Sequence, residues 1–171
     1  RLLHTNSQGV GIALHYHIND IARISFERPT KKNAITLEIL EELRTITTQI
    51  RENSTVKAVI LHGEGSCFSS GIDVTVLAGS ATDVFRQTSS GEEKTTRPNL
   101  VQSAAIGLRS LKGPVIAAIH NECFGAGLQI ALGACIRVAQ PDAKLSFMEI
   151  KHGLLPDMAV SVTARSLLRE D

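Results

Sequence analysis

The segment from Pro114 to Asp157 constrains this chain more than any other. Pro114 to Ile119 is an apolar run that reads as a buried strand, and Gly125-Ala126-Gly127 then opens an apolar helix. A strand that passes into a helix through glycine leaves main-chain N–H groups without helical partners. Such groups can hold an anion or a polarised carbonyl oxygen. Glu149 lies 20 residues after Gln129, and Asp157 follows 8 residues later. Backbone donors beside a carboxylate are the equipment for stabilising an enolate while a proton moves. The pattern points to an enzyme.

Around this segment the chain alternates short strands and helices. Period-two patterning in 11–17 and again in 21–26 predicts two strands joined by a turn at Asn19-Asp20. A helix is expected from Thr36 to about Glu52, with Ile39, Leu40, Leu43, Ile46 and Ile50 on one face. Thr36 is its N-cap, and Ile39 leaves the capping box incomplete. Val56 to Leu61 is nearly all apolar, as in a strand covered on both faces. Leu100 to Leu111 reads as a helix closed by Gly113 before Pro114. The helix after Gly127 is expected to run to about Cys135. Two short strands follow, at 136–138 and 144–147. Between Gly79 and Asn99 the chain is polar with few apolar anchors, and it is expected to be a mobile segment. The overall pattern is α/β.

Three blocks in order resemble the crotonase superfamily, the enoyl-CoA hydratases and isomerases. The first is Phe26-Glu27-Arg28-Pro29 with Lys32-Asn33-Ala34. The second runs from Val56-Lys57-Ala58-Val59-Ile60-Leu61 to Gly65-Ser66-Cys67-Phe68-Ser69-Ser70-Gly71-Ile72-Asp73. The third is the Pro114–Asp157 segment. The resemblance implies a spiral of repeated β-β-α units, the ClpP/crotonase arrangement, with 1–171 as a single core domain. It also implies a further C-terminal helical region that this sequence does not contain, so the chain is expected to be incomplete there. Members act on coenzyme A thioesters without a separate cofactor, and they assemble as homotrimers or pairs of trimers.

Carried over by motif, the two oxyanion-hole N–H groups belong to Ile72 and Ala126. Ser70, Gly71, Asp73 and Gly125 fall in the same loops, as substrate-binding candidates. Asp73 is expected to orient its loop or to sit beside the coenzyme. Glu149 matches the acid that exchanges a proton with the substrate's α-carbon; the competing reading pairs it with Lys151 or Arg137. Gln129 departs from the hydratase pattern, which has Glu there. Glutamine can hydrogen-bond a water but cannot accept its proton. That favours double-bond migration over two-carboxylate hydration, although Glu149 alone could hydrate with Gln129 orienting the water. Asp157 matches a dienoyl-CoA isomerase acid, or else it caps a helix beginning near Ala159. The alternative from another class is a non-catalytic acyl-CoA-binding or assembly subunit with the same fold.

Composition excludes several other classes. A net charge of +1 offers no basic field for nucleic acid. No apolar run approaches the ~20 residues that span a bilayer. Cys67, Cys123 and Cys135 form neither a disulfide framework nor a zinc pattern. A reducing, cytoplasmic setting is expected, with an organelle matrix left open. His15 and His17 form an H-x-H pair with no third metal ligand, and Lys31 and Lys32 could meet coenzyme phosphates, with a solvated turn as the default. Ser66, Ser69 and Ser70 lack the G-x-S-x-G setting of a serine hydrolase.

Overall fold

In a computed structural model of the protein, the structure describes residues 3–5, 9–17, 19–78, 98–165 and 167. The chain begins with β1 (Leu3–Thr5), β2 (Ile12–Tyr16) and β3 (Ile21–Phe26). Asp20 has a positive φ of 60°, which makes the expected turn between β2 and β3. A short 3-10 turn (Pro29–Lys31) leads to α1 (Leu37–Glu52), β4 (Ala58–Gly63) and α2 (Val74–Ala78). Then come α3 (Leu100–Arg109), β5 (Val115–Ile119), β6 (Glu122–Phe124) and α4 (Ala126–Leu132). The described chain finishes with β7 (Ile136–Ala139), β8 (Lys144–Ser146), a 3-10 helix (Met148–His152) and α5 (Val160–Thr163).

One sheet carries the strand order β1-β2-β3-β4-β5-β7, and β6 pairs with β8 in a second, smaller sheet. The first two pairings of the large sheet are antiparallel. From β3 onward they are parallel, with Val59 opposite Val115 and Ile116 opposite Ile136. Successive turns therefore give one strand to the large sheet and one to the small sheet. β5, β6 and α4 make one such turn, and β7 and β8 begin the next. This is the β-β-α spiral that the resemblance implies.

Helix α1 forms where the sequence puts it. Thr36 is extended and its hydroxyl oxygen accepts the Ile39 amide at 3.4 Å, which satisfies one of the orphan donors of the first turn. Ile39, Leu40, Leu43, Ile46 and Ile50 are all buried against the large sheet's core, whose other members include Phe26, Leu61 and Phe68. The rings of Phe26 and Phe68 meet edge-on, 5.7 Å apart, a favourable arrangement for aromatic quadrupoles. Helix α3 starts with a full capping box: Asn99 accepts the Gln102 amide, and Gln102 accepts that of Asn99.

Several expectations change. β4 is not covered equally on both faces: Val59 and Leu61 are buried, whereas Ala58, Ile60 and His62 are only partly so. An apolar run can thus alternate in burial without alternating in sequence. Helix α4 stops at Leu132, with Gly133 as its cap, three residues short of the expected end. Asp157 does not cap α5. Ala159 holds that position in a left-handed conformation with φ 64°, and no side chain caps the helix. The polar segment 79–99 lies, up to residue 97, outside the described residues.

Candidate active site

The site is built where the two sheets meet the start of α4. Ser69 pairs with Cys123 of β6, its amide donating to the Glu122 carbonyl and its own carbonyl accepting the Phe124 amide. This places the Ser70-Gly71-Ile72 loop beside Gly125-Ala126. Gly71 has φ 104°, and a side-chain carbon on it would lie 3.2 Å from the Phe124 carbonyl oxygen and 3.8 Å from the Ala126 nitrogen. Gly125 has φ 47° and ψ −120°, a conformation open to glycine and strained for other residues. Its amide donates to the Ser146 carbonyl at 2.9 Å, so this junction is anchored to β8. Among the described residues, nothing accepts the Ile72 or the Ala126 amide.

A second set of bonds fixes the Ile72 loop from behind. Its flanking main-chain groups pair with residue 35: the Ile35 amide donates to the Gly71 carbonyl, and the Asp73 amide donates to the Ile35 carbonyl. Asn33, buried with φ 52°, donates to the Glu64 and Cys67 carbonyls at 2.8 Å each and accepts the Arg28 amide at 2.9 Å. Asp73 is bound on both oxygens. Oδ2 accepts from Arg28 at 3.0 Å, and Oδ1 accepts the Thr75 hydroxyl at 2.8 Å and amide at 3.1 Å. The Thr75 hydroxyl and the Arg28 guanidinium outweigh partial burial and hold its carboxyl below the usual Asp range.

Glu149 comes from the 3-10 helix that follows β8. It pairs with neither Lys151 nor Arg137. Its Oε1 accepts a hydrogen bond from Gln129 Nε2 at 2.7 Å, and its Oε2 is buried without a partner among the described residues. Gln129 is 1% exposed, on α4, and its Oε1 accepts the Met158 amide at 2.9 Å. Both ends of the Gln129 amide are thus engaged. Asp157, next to Met158, lies at the surface. Even so, the protein around it raises its carboxyl pKa, through lost solvation first and the Glu149 charge to a smaller degree.

A cavity of about 60 Å³ joins these pieces, lined by Ser70, Gly71, Ile72, Gly125, Ala126 and Glu149, with His152 at its side. Of the residues singled out from sequence, it brings these six together, with Gln129 behind Glu149. Asp73 does not line it. His152 was not anticipated. Its signal was available, because residues three apart on a 3-10 helix eclipse one another and Glu149 is three positions earlier. A larger cavity of about 330 Å³, lined by Lys32, Ser66, Asn121, Glu122, Asp142 and Lys144, shares no residue with it. There Lys32 pairs with Glu122 at 3.1 Å. Among the described residues, the smaller cavity is the candidate site, because the unpaired Ile72 and Ala126 amides and the Glu149 carboxylate converge there.

His15 is buried against Glu27 and His17 is exposed. Among the described residues no group of three or more His, Cys, Asp or Glu is placed to hold a metal.

Residues 17–167 match the enoyl-CoA hydratase/isomerase family. The chain belongs to this family. A Bacillus subtilis (strain 168) protein described as a probable enoyl-CoA hydratase is 34% identical over 127 residues, covering 74% of this chain and 46% of that protein. A peroxisomal Delta(3,5)-Delta(2,4)-dienoyl-CoA isomerase of Arabidopsis thaliana is 29% identical over 147 residues, covering 82% of this chain and 51% of its own length. The chain thus spans about half the length of these relatives. Among solved structures, a Thermobifida fusca protein in complex with acetoacetyl-CoA superposes with a TM-score of 0.77 at 29% identity, over 92% of this chain and 62% of that one. The Bacillus anthracis enoyl-CoA hydratase gives 0.78 at 27% identity, over 92% and 58%. No described helix is long and apolar enough to cross a membrane.

Proposed function

We propose that the protein acts on an unsaturated acyl-CoA thioester and shifts its double bond through an enolate. One observation carries this reading: the unpaired Ile72 and Ala126 amides border the same cavity as Glu149. The thioester carbonyl oxygen sits between the two amides. Glu149 takes a proton from the α-carbon, and the electron pair moves onto that oxygen. With a 3-enoyl chain, the C2–H bond breaks and the double bond moves from C3–C4 to C2–C3. The proton is then returned to C4. Fixed backbone donors suit a charge that exists only during reaction, and losing one costs ~3 kcal/mol of barrier. Coenzyme A enters as part of the substrate, and the step calls for no other cofactor.

In this reading Ser70, Gly71 and Gly125 form walls, and Asp73 holds the loop in place without touching substrate. Asp157 is a second acid near the proton path. Hydration is the second reading, favoured by the hydratase names among the relatives. It requires Glu149 to activate water without a carboxylate at position 129. A homotrimer or pair of trimers for the full-length protein belongs to the same proposal, with exposed Ile150 and Leu155 as candidates for burial in it. Light scattering reporting a monomer would remove that assembly.

The experiment is mass spectrometry of 2-enoyl- and 3-enoyl-CoA incubated with the full-length protein in heavy water. Deuterium entering carbon positions with a moved double bond supports the proposal. Net addition of one water selects hydration. An unchanged thioester and no deuterium in either substrate overturns both in favour of a non-catalytic acyl-CoA-binding subunit.

A further inference from the structure

Gln129 is the most deeply buried polar group beside Glu149, and its amide can face only one way. The Met158 N–H points at Gln129 Oε1 from 2.9 Å. Turning the amide over would set two donors against each other, with Nε2 facing that N–H and Oε1 facing the Glu149 carboxylate. The Met158 main chain therefore selects the orientation in which Nε2 faces Glu149, where it donates to Oε1 at 2.7 Å. We propose that Gln129 is a positioning residue: the chain of bonds from Met158 N–H through Gln129 to Glu149 Oε1 reserves Glu149 Oε2 for proton transfer. This rests on the double-bond-shift reading above and deepens it.

The physical reason for glutamine follows. A glutamate at 129 could still accept the Met158 amide with one oxygen. Its other oxygen would replace Nε2, 2.7 Å from Glu149 Oε1. Two carboxylates at that separation share one proton and titrate as a pair. The site would then have two coupled acids in place of one carboxylate with a fixed donor. Among the described residues, the other titratable groups facing Glu149 are Asp157, whose charge acts on the same region, and His152, which lines the same cavity from the 3-10 helix. Both remain in the variants below. Gln129 thus separates one-carboxylate chemistry from two-carboxylate chemistry at a position where the two side chains are nearly equal in size.

The test uses the full-length protein as wild type, Q129L, Q129E and E149Q, each checked for folding by thermal melting. Turnover of a 3-enoyl-CoA is measured across pH, with NMR of the Gln129 side-chain amide. Q129L is expected to lower kcat by about tenfold to a hundredfold, the range for a hydrogen bond to a charged group, with KM within about twofold. Q129E is expected to move the acid limb of the kcat profile to higher pH, and it serves alone if Q129L does not fold. In the wild type, the Gln129 amide signal should be protected from exchange and should shift on E149→Gln. Wild-type kcat and pH profile in both Gln129 variants, with E149Q inactive, overturns the positioning role and leaves the proposed function standing. An amide signal unmoved by E149→Gln overturns the bond itself. E149Q with full turnover instead removes the catalytic reading on which the proposal rests, and the proposal with it.

Discussion

Arg28 Nη1 reaches both Asp73 Oδ2, at 3.0 Å, and the Ala34 carbonyl, at 2.7 Å. One guanidinium thus joins the turn after β3 to the loop that carries Ile72. The pair is mostly shielded, with the Arg28 and Asp73 side chains 25% and 12% exposed. Arg28→Met leaves Asp73 without its cationic partner and is expected to lower stability by about 2 kcal/mol in chemical denaturation. Asp73→Asn should show a matching pH dependence. The folded carboxyl lies below its ordinary value of 3.8, so its stabilisation is complete above that pH and fades as pH falls through the folded value. The wild-type advantage over D73N should persist from neutral pH down to about 4 and shrink below it. An advantage independent of pH would show that the charge is not what holds the loop.

The fully buried Leu43 on α1 tests the core separately from the site. Leu43→Ala removes methyl groups that the surrounding side chains cannot fully replace, at a cost of about 2–5 kcal/mol. Denaturant midpoints should fall accordingly. A loss under 1 kcal/mol would mean that α1 is packed more loosely than its burial implies.

What sequence could show is divided by distance along the chain. The Thr36 cap and the apolar face of α1 are local signals, and both appear where periodicity put them. The Gly125 junction is equally local. β6 escaped because Glu122-Cys123-Phe124 is too short to display a period, and it gains its identity only from pairing with β8. The Gln129–Glu149 bond escaped for a different reason. Sequence places a glutamine and a glutamate 20 residues apart but does not aim them, and the Met158 amide that orients Gln129 lies 29 residues away. The cap reading of Asp157 failed although Pro156-Asp157 is a good local start for a helix. The chain instead turns through left-handed Ala159, sending the Met158 amide toward Gln129.

Gly125→Ala should damage stability and chemistry together. The new methyl group would sit 3.2 Å from Glu149 Oε1 in a backbone conformation unsuited to alanine. The strain is worth about 1–3 kcal/mol, and it falls on the residue that aims the Ala126 amide. Thermal melting should report the first effect, and a loss of at least tenfold in kcat the second. An active variant of wild-type stability would show that this junction relaxes freely.

The cysteines should differ sharply in reactivity. Burial, with a smaller contribution from nearby Cys67, pushes the Cys123 thiol up to about 12, while Cys135 is exposed. Because the thiolate is the nucleophile, iodoacetamide near pH 8 should label Cys135 first and leave Cys123 unmodified until the protein unfolds. Peptide mapping that finds Cys123 labelled as fast as Cys135 in folded protein would contradict the burial of β6.

Asp157 gives the opposite pH signature to Asp73. Its folded carboxyl lies above the ordinary 3.8, because lost solvation and the Glu149 charge disfavour the ionised form. The folded state therefore binds more protons than the unfolded state between the two values, and stability falls as pH rises through that window. Asp157→Asn removes the charge without changing the shape, so the variant should be the more stable protein at neutral pH. Its advantage should disappear below about pH 4, where Asp157 is protonated in both states. Solvent at the exposed carboxyl makes the effect small, so paired denaturation curves at pH 4 and pH 7 are the measurement. A variant less stable at pH 7 would instead assign Asp157 a hydrogen-bonding role that outweighs its repulsion from Glu149.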